Sequence, residues 1–224
     1  VAVVERGAVG GTCVNVGCTP TKTMVASARV AHMARRAGDY GVDVGGVRVD
    51  IERVRKRKRD IVDDFSGGSQ RQLERTEGVD LIFGEASLSA PDAVAVALPG
   101  GSTLDLRASR IFINAGCRPA TPPIPGLADT PHLTSTTVME LAELPDRLLV
   151  LGGGYIGLEF AQMFRRFGSE VTVIHRGPQL LSREDEDIGA AVADVLREEG
   201  IEVVLNASVT GVRSAQSGGV EAAF

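Results

Sequence analysis

Residues 147–176 read RLLVLGGGYIGLEFAQMFRRFGSEVTVIHR, and the spacing within this stretch decides the fold class. Leu148 to Leu151 is a short apolar run of the kind a buried parallel strand shows. Gly152, Gly154 and Gly157 follow as GxGxxG, a helical pattern runs from Tyr155 to Phe167, and Gly168 stands where a helix C-cap belongs. The β-branched run Val171 to Ile174 completes strand, glycine turn, helix, strand. A glycine triplet alone is weak, but in this setting it marks a dinucleotide-binding unit. Bare backbone at a helix N-terminus receives a pyrophosphate. Gly152, Gly154, Tyr155, Ile156 and Gly157 are the expected contacts.

The residues after the second strand choose the dinucleotide. NAD-selective sites place a carboxylate there for the ribose hydroxyls, whereas an arginine accommodates the extra phosphate of NADP. This chain has His175 and Arg176, with Arg183 a little further on. The expected cofactor is therefore NADP, with NAD as the alternative. Without a ligand, both residues are simply solvated groups leaving a strand.

A second run, GGTCVNVGCTPTK at residues 10–22, carries redox chemistry. Cys13 and Cys18 have four residues between them, close enough for a bridge to be made and broken without large backbone movement. Gly10 and Gly11 allow a sharp entry into a helix, Thr12 is a good N-cap, and a thiolate in the first turn is stabilised. Pro20 is expected to kink the continuing helix. A structural staple is the weaker interpretation, because so short a loop gains little and the chain has only three cysteines. A zinc site lacks ligands at comparable spacing, so no metal is expected. Cys117 has no partner at useful spacing and is expected to be a small buried side chain.

Together these runs resemble the flavin-dependent pyridine nucleotide disulfide oxidoreductases, and most closely their mercuric reductase and dihydrolipoamide dehydrogenase branch. The resemblance extends over essentially the whole chain. It implies FAD as second cofactor, Cys18 as the thiol against the flavin, Cys13 as the thiol that meets substrate, and Lys22 beside the reactive edge of the flavin. Glu159 resembles the glutamate near that lysine, and Tyr155 the aromatic that covers the nicotinamide pocket. Ile111 to Gly116, with a proline-rich exit RPATPPIPG, resembles a flavin-contacting strand; Ala115 and Gly116 are its expected contacts, with Gly11, Thr12 and Ala86 elsewhere.

Val1 to Val4, ending in Glu5, has the form of the second strand of a dinucleotide unit with its ribose-binding carboxylate. No glycine turn precedes it, and after Gly200 further strands begin shortly before Phe224. The expectation is an α/β chain of two Rossmann-like, three-layer domains, both incomplete: an FAD-binding domain at 1–135 and an NAD(P)-binding domain at 136–224. The resemblance also implies a homodimer through a further domain with a His and Glu pair. None of His32, His132 or His175 lies in such a motif.

Between the two motifs one helix is expected from Thr12 to about Arg36, and a second from about Asp50 to Thr76. The latter contains RVRKRKRD, but the chain's net charge is −5 and acidic residues flank the run. A solvated helix face is expected in place of a nucleic-acid surface. From Val79 onward short alternating runs indicate an antiparallel excursion. With 43% hydrophobic and 24% charged residues the composition is that of a globular α/β chain. No apolar run approaches a membrane span, and a cytoplasmic protein is expected, where a close cysteine pair is more often catalytic than structural.

The expected activity passes electrons from NAD(P)H through FAD to the Cys13/Cys18 pair, and on to a small-molecule disulfide or a soft metal ion such as Hg(II). Two alternatives are a flavin-linked pyridine nucleotide transhydrogenase or oxidase, and a non-catalytic redox-sensing nucleotide-binding protein.

Overall fold

The computed structural model describes residues 1–215 and 219–224. The chain forms two compact units, residues 1–20 with 59–118, and residues 21–58 with 119–224. In the first unit β1 (Ala2–Glu5) pairs in parallel with β2 (Asp80–Phe83), Val3 opposite Leu81. Strands β3 (Glu85–Ala90), β4 (Ala93–Ala97) and β5 (Thr103–Arg107) form an antiparallel meander, as the alternating runs required.

The helix expected from Thr12 to Arg36 is two helices, α1 (Gly11–Val16) and α2 (Cys18–Arg35), broken at Gly17. A Cβ at Gly17 would lie 2.9 Å from the Thr12 carbonyl oxygen and 3.2 Å from the Cys13 Cα, so only a bare α-carbon lets the chain fold back here. Pro20 does not kink a helix interior. It sits in the first turn of α2, where its missing N–H has no partner to lose. Nor is Thr12 the N-cap: Gly10, at φ 109°, fills that place without a side-chain cap.

The run Ile111 to Gly116 is not a strand. It has no ladder among the described residues, and Phe112 and Ile113 are exposed. Alternating apolar residues become a strand only when a neighbour takes up their backbone N–H and C=O groups. Cys117 is exposed, not buried as its size and spacing had implied.

In the second unit β6 (Arg147–Leu151), β7 (Glu170–Ile174) and β8 (Glu202–Val204) form a parallel sheet in the order β6, β7, β8. This is half of a doubly wound order, with the ligand-bearing ends of all three strands on one side. α4 (Tyr155–Phe167) has the expected bounds and ends at Gly168, whose N–H reaches the Phe164 and Arg165 carbonyls. Its buried face, Leu158, Phe160, Ala161, Met163, Phe164 and Phe167, follows helical spacing. It packs with Val171 and Val173 of β7 and with Met24 and Ala28 of α2. α5 (Glu186–Glu198) adds Ala193 and Leu196. An antiparallel ribbon of β9 (Gly211–Ser214) and β10 (Val220–Ala223) closes the chain.

The basic run is not wholly a solvated face. It lies on α3 (Ile51–Arg75), where Lys58 is buried and ion-paired with Glu140. Arg55 donates to the Glu140 carbonyl at 3.0 Å and Arg57 to the Thr23 carbonyl at 2.9 Å. Part of its charge fastens the helix to its surroundings.

A second internal ion pair closes α4 against the end of α5. Arg166 grips Glu199 with two hydrogen bonds, 2.7 and 2.5 Å, and Gln162 adds a third at 2.8 Å. Burial acts to raise the Glu199 carboxyl. The hydrogen bond and charge of Arg166, with His32 and Gln162, outweigh it and hold the group below the usual carboxylate range.

Two predictions rest on this packing. Replacing Gly17 by Ala forces backbone apart and is expected to cost ~1–3 kcal/mol in urea unfolding; an unchanged midpoint would contradict the close approach. For Glu199, a depressed folded pKa contributes stability above the unfolded carboxyl range, which is lost as pH falls through the folded value. Glu199→Gln should therefore destabilise by roughly 1–3 kcal/mol at neutral pH. That gap should shrink as pH drops below about 4. A gap independent of pH would contradict the charged pair.

Candidate active site

The thiol turn is built by backbone. Cys13 lies in α1 and Cys18 is the first residue of α2, and both are exposed. Gly17, immediately before Cys18, is folded back against Thr12 and Cys13 as described, and this return brings the two cysteine positions toward one another. Cys18, not Cys13, heads the long helix. The positive dipole end of an 18-residue helix therefore belongs to Cys18.

Asn15 was not singled out by the sequence, yet it organises the turn. Its amide donates to the carbonyls of Ala8, Val9 and Gly11 at 3.1, 3.2 and 2.9 Å. Ser66 of α3 adds a 2.6 Å hydrogen bond to the Val9 carbonyl. A polar residue between two cysteines was the available signal. Thr12 turns its hydroxyl to the other side, where Cys117 N–H donates to it at 3.4 Å. Gly116, at φ 70°, passes so near that a Cβ on it would lie 2.5 Å from Thr12 Oγ1. Thr12 and Gly116 thus meet, with Ala115 exposed beside them.

Four residues beyond Cys18 on α2, Lys22 forms an ion pair with Glu159 of α4. Both side chains keep solvent exposure, 60% and 37%, so the pair adds little stability. What it does is fix where an ammonium stands.

At the end of β6, Gly152 takes φ 108°, and a Cβ on Gly157 would lie 2.9 Å from the Gly152 carbonyl oxygen. The turn and helix can approach only with both residues bare. Gly154 differs: its backbone is ordinary extended chain, φ −85° and ψ 162°, and an added Cβ would meet nothing within 4 Å. Packing within the chain does not call for glycine there. The open space at Gly154 fits a pyrophosphate laid on the helix N-terminus. Tyr155 and Ile156 open α4 beside it, Tyr155 being 70% exposed.

His175 closes this turn from the end of β7. Its Nδ1 accepts from Gly153 N–H at 3.1 Å, while its Nε2 is buried with no hydrogen-bond partner among the described residues. Arg176 is exposed.

The remaining expected contacts are on the first unit. Glu5 ends β1, but its carboxylate accepts from Gly7 N–H at 2.7 Å, capping its own turn. Ala86 is exposed on β3. At Gly11, φ 61°, an added Cβ meets nothing, which again leaves room for a ligand. Among the described residues no three His, Cys, Asp or Glu side chains gather as a metal-holding group, and no helix is long and apolar enough to cross a membrane.

A mercuric reductase of Streptomyces lividans is 40% identical over 214 residues, 95% of this chain and 45% of that protein. The probable pyridine nucleotide-disulfide oxidoreductase RclA of Escherichia coli is 38% identical over 212 residues, 93% of this chain and 44% of that one. Among solved structures, the Cu(II) complex of the HOCl-induced flavoprotein disulfide reductase RclA from Escherichia coli matches with a TM-score of 0.86 at 35% identity. It covers 100% of this chain and 47% of that one. The chain therefore spans less than half the length of these relatives. A family model described as pyridine nucleotide-disulphide oxidoreductase matches residues 1–223, and the chain, with its thiol turn and its glycine turn, belongs to that family.

Proposed function

We propose that this chain supplies the redox-active thiols and the nucleotide site of a flavoprotein that carries electrons from NADPH to a soft metal ion or a disulfide. The observation that carries the proposal is the thiol turn: two exposed cysteines on either side of a backbone return that only glycine permits, the second at a helix N-terminus. Residues 1–135 serve the flavin and 136–224 the nicotinamide nucleotide. FAD, when bound, supplies a two-electron relay between nicotinamide and disulfide.

The chain's own residues do the rest. Gly152, Gly154 and Gly157 seat the nucleotide's pyrophosphate, and Tyr155 and Ile156 line the helix start above it. Glu5 would offer its carboxylate to the ribose of the flavin nucleotide, and Gly11, Thr12, Ala86, Ala115 and Gly116 would offer backbone and small side chains to the flavin. Lys22, held by Glu159, would offer the flavin a positive charge one helical turn beyond Cys18. The N-terminal turn of α2 favours a negatively charged Cys18 sulfur. Reduction of the Cys13/Cys18 bridge leaves two thiols, of which Cys13 meets substrate. A disulfide substrate is reduced by exchange, the Cys13 sulfur displacing one thiolate and Cys18 then displacing the other. Thiolates also bind soft metal ions well; that the relatives include mercuric reductases and a protein solved as a Cu(II) complex favours such an ion. With His175 and Arg176 in place of a carboxylate after β7, the nucleotide is NADPH. The setting is the cytoplasm and the assembly a homodimer.

Anaerobic reduction by NADPH of the flavoprotein containing this chain should produce a long-wavelength thiolate-to-flavin absorption band. Cys18→Ser should abolish it, and Cys13→Ser should retain it; both should lower turnover by on the order of 10³ or more. A band that survives Cys18→Ser contradicts the relay. Lys22→Met should shift the thermal midpoint little, because an exposed pair contributes about 0–1 kcal/mol. It should nonetheless slow flavin reduction in stopped flow; an unchanged rate would remove Lys22 from the site.

A further inference from the structure

Within the second unit, the C-terminal ends of α2, α4 and α5 border one open cavity of about 520 Å³. Its wall carries Arg35, Arg36, Arg165, Arg166 and His32 against two carboxylates, Glu198 and Glu199. Helix C-termini expose carbonyl oxygens and the negative end of a dipole. Three of them together repel an anion unless the arginines more than offset them, so the use of each guanidinium decides the character of the cavity.

Two arginines cover the helix ends. Arg35 donates to the Arg166 carbonyl and, at 3.4 Å, to that of Phe167. Arg165 donates to the Glu199 carbonyl at 2.8 Å and to that of Ser169 at 3.4 Å. A carbonyl is a dipole without net charge, so both guanidinium charges remain. Arg166 is neutralised by the Glu199 carboxylate, which His32 Nδ1 also approaches at 4.0 Å. Arg36 is exposed; its Nε donates to Asp39 at 2.9 Å, and its two terminal nitrogens make no hydrogen bond among the described residues. With Arg166 set against Glu199 and Arg36 against Asp39, Arg35 and Arg165 outnumber Glu198.

Apart from Val195 the wall is polar or glycine, so an occupant is held by charge and hydrogen bonds. The volume lies in the range of small-molecule pockets, about 300–1,000 Å³, and exceeds what a single ion fills. Guanidinium forks match phosphate oxygens in geometry and charge. We propose that this cavity is a second anion site, taking a small phosphorylated molecule of two or more negative charges, with Arg36 as its principal donor and the charges of Arg35 and Arg165 behind it. The site is separate from the pyrophosphate seat at Gly154. That seat opens α4, and the cavity lies at the other end of the same 13-residue helix, about 20 Å away. A bound anion ties the ends of α2, α4 and α5 together.

Calorimetry on the flavoprotein containing this chain tests the site in phosphate-free buffer of low ionic strength. The nucleotide site is first filled with the oxidised form of whichever nicotinamide nucleotide reduces the flavin. Pyrophosphate should then bind at one further site per chain with a Kd below about 1 mM, and added salt should weaken it. Inorganic phosphate should bind about 5-fold or more weakly still; equal affinity would overturn the larger occupant. Arg36→Met, which removes one exposed hydrogen bond to Asp39, should weaken pyrophosphate about 10-fold or more and leave flavin reduction unchanged. Glu198→Gln removes a like charge from the wall and should tighten pyrophosphate by about 2-fold or more. Absence of a further site in the nucleotide-filled protein, or pyrophosphate binding that Arg36→Met leaves intact, would overturn the proposal without touching the assignment of the thiols or of the nucleotide.

Discussion

At Gly17 the chain returns to within van der Waals reach of its own helix, 2.9 Å from the Thr12 carbonyl by the measure of a Cβ that is absent. Everything proposed for the thiols depends on this return. It ends α1 after six residues, starts α2 at Cys18, and so gives the second cysteine the N-terminal end of an 18-residue helix. It also relieves Pro20 of any need to bend a helix. Any side chain at position 17 would push the first cysteine's helix away from the start of the second.

The same constraint, backbone brought close by leaving side chains out, recurs in the nucleotide half. Gly157 is bare because the Gly152 carbonyl lies against it, Gly153 because the Leu180 side chain and then the His175 ring crowd it, and Gly177 because the His175 ring does. Gly154 is bare with nothing of the chain beside it. These three cases separate glycines that serve packing from one that packing within the chain does not require. Family membership is established by the match over residues 1–223, and the pyrophosphate proposed for Gly154 agrees with it.

How much of this was legible beforehand depended on how local the cause was. The βαβ unit at 147–176 emerged with α4 at its expected bounds because strand runs, helix period and the Gly168 cap all lie within thirty consecutive residues. The break at Gly17 was not legible, since a six-residue helix leaves no periodicity to read. Burial of Lys58 was not either: its partner Glu140 lies 82 residues away, and a run of arginines and lysines looks solvated until such a partner is known. Ile111 to Gly116 has strand composition without a neighbour, so composition alone overstated it. The bracing role of Asn15 and the orphan nitrogen of His175 are three-dimensional facts; the sequence marks the residues and is silent about their contacts.

In the proposed relay, electrons arriving from the nicotinamide come to lie on Cys13 and Cys18. Counting accessible thiols in the flavoprotein before and after anaerobic addition of NADPH tests this directly. Two further thiols per chain should appear, and neither should appear when Cys13 or Cys18 is replaced by Ser. Full reduction of the flavin with no gain in thiols would contradict it.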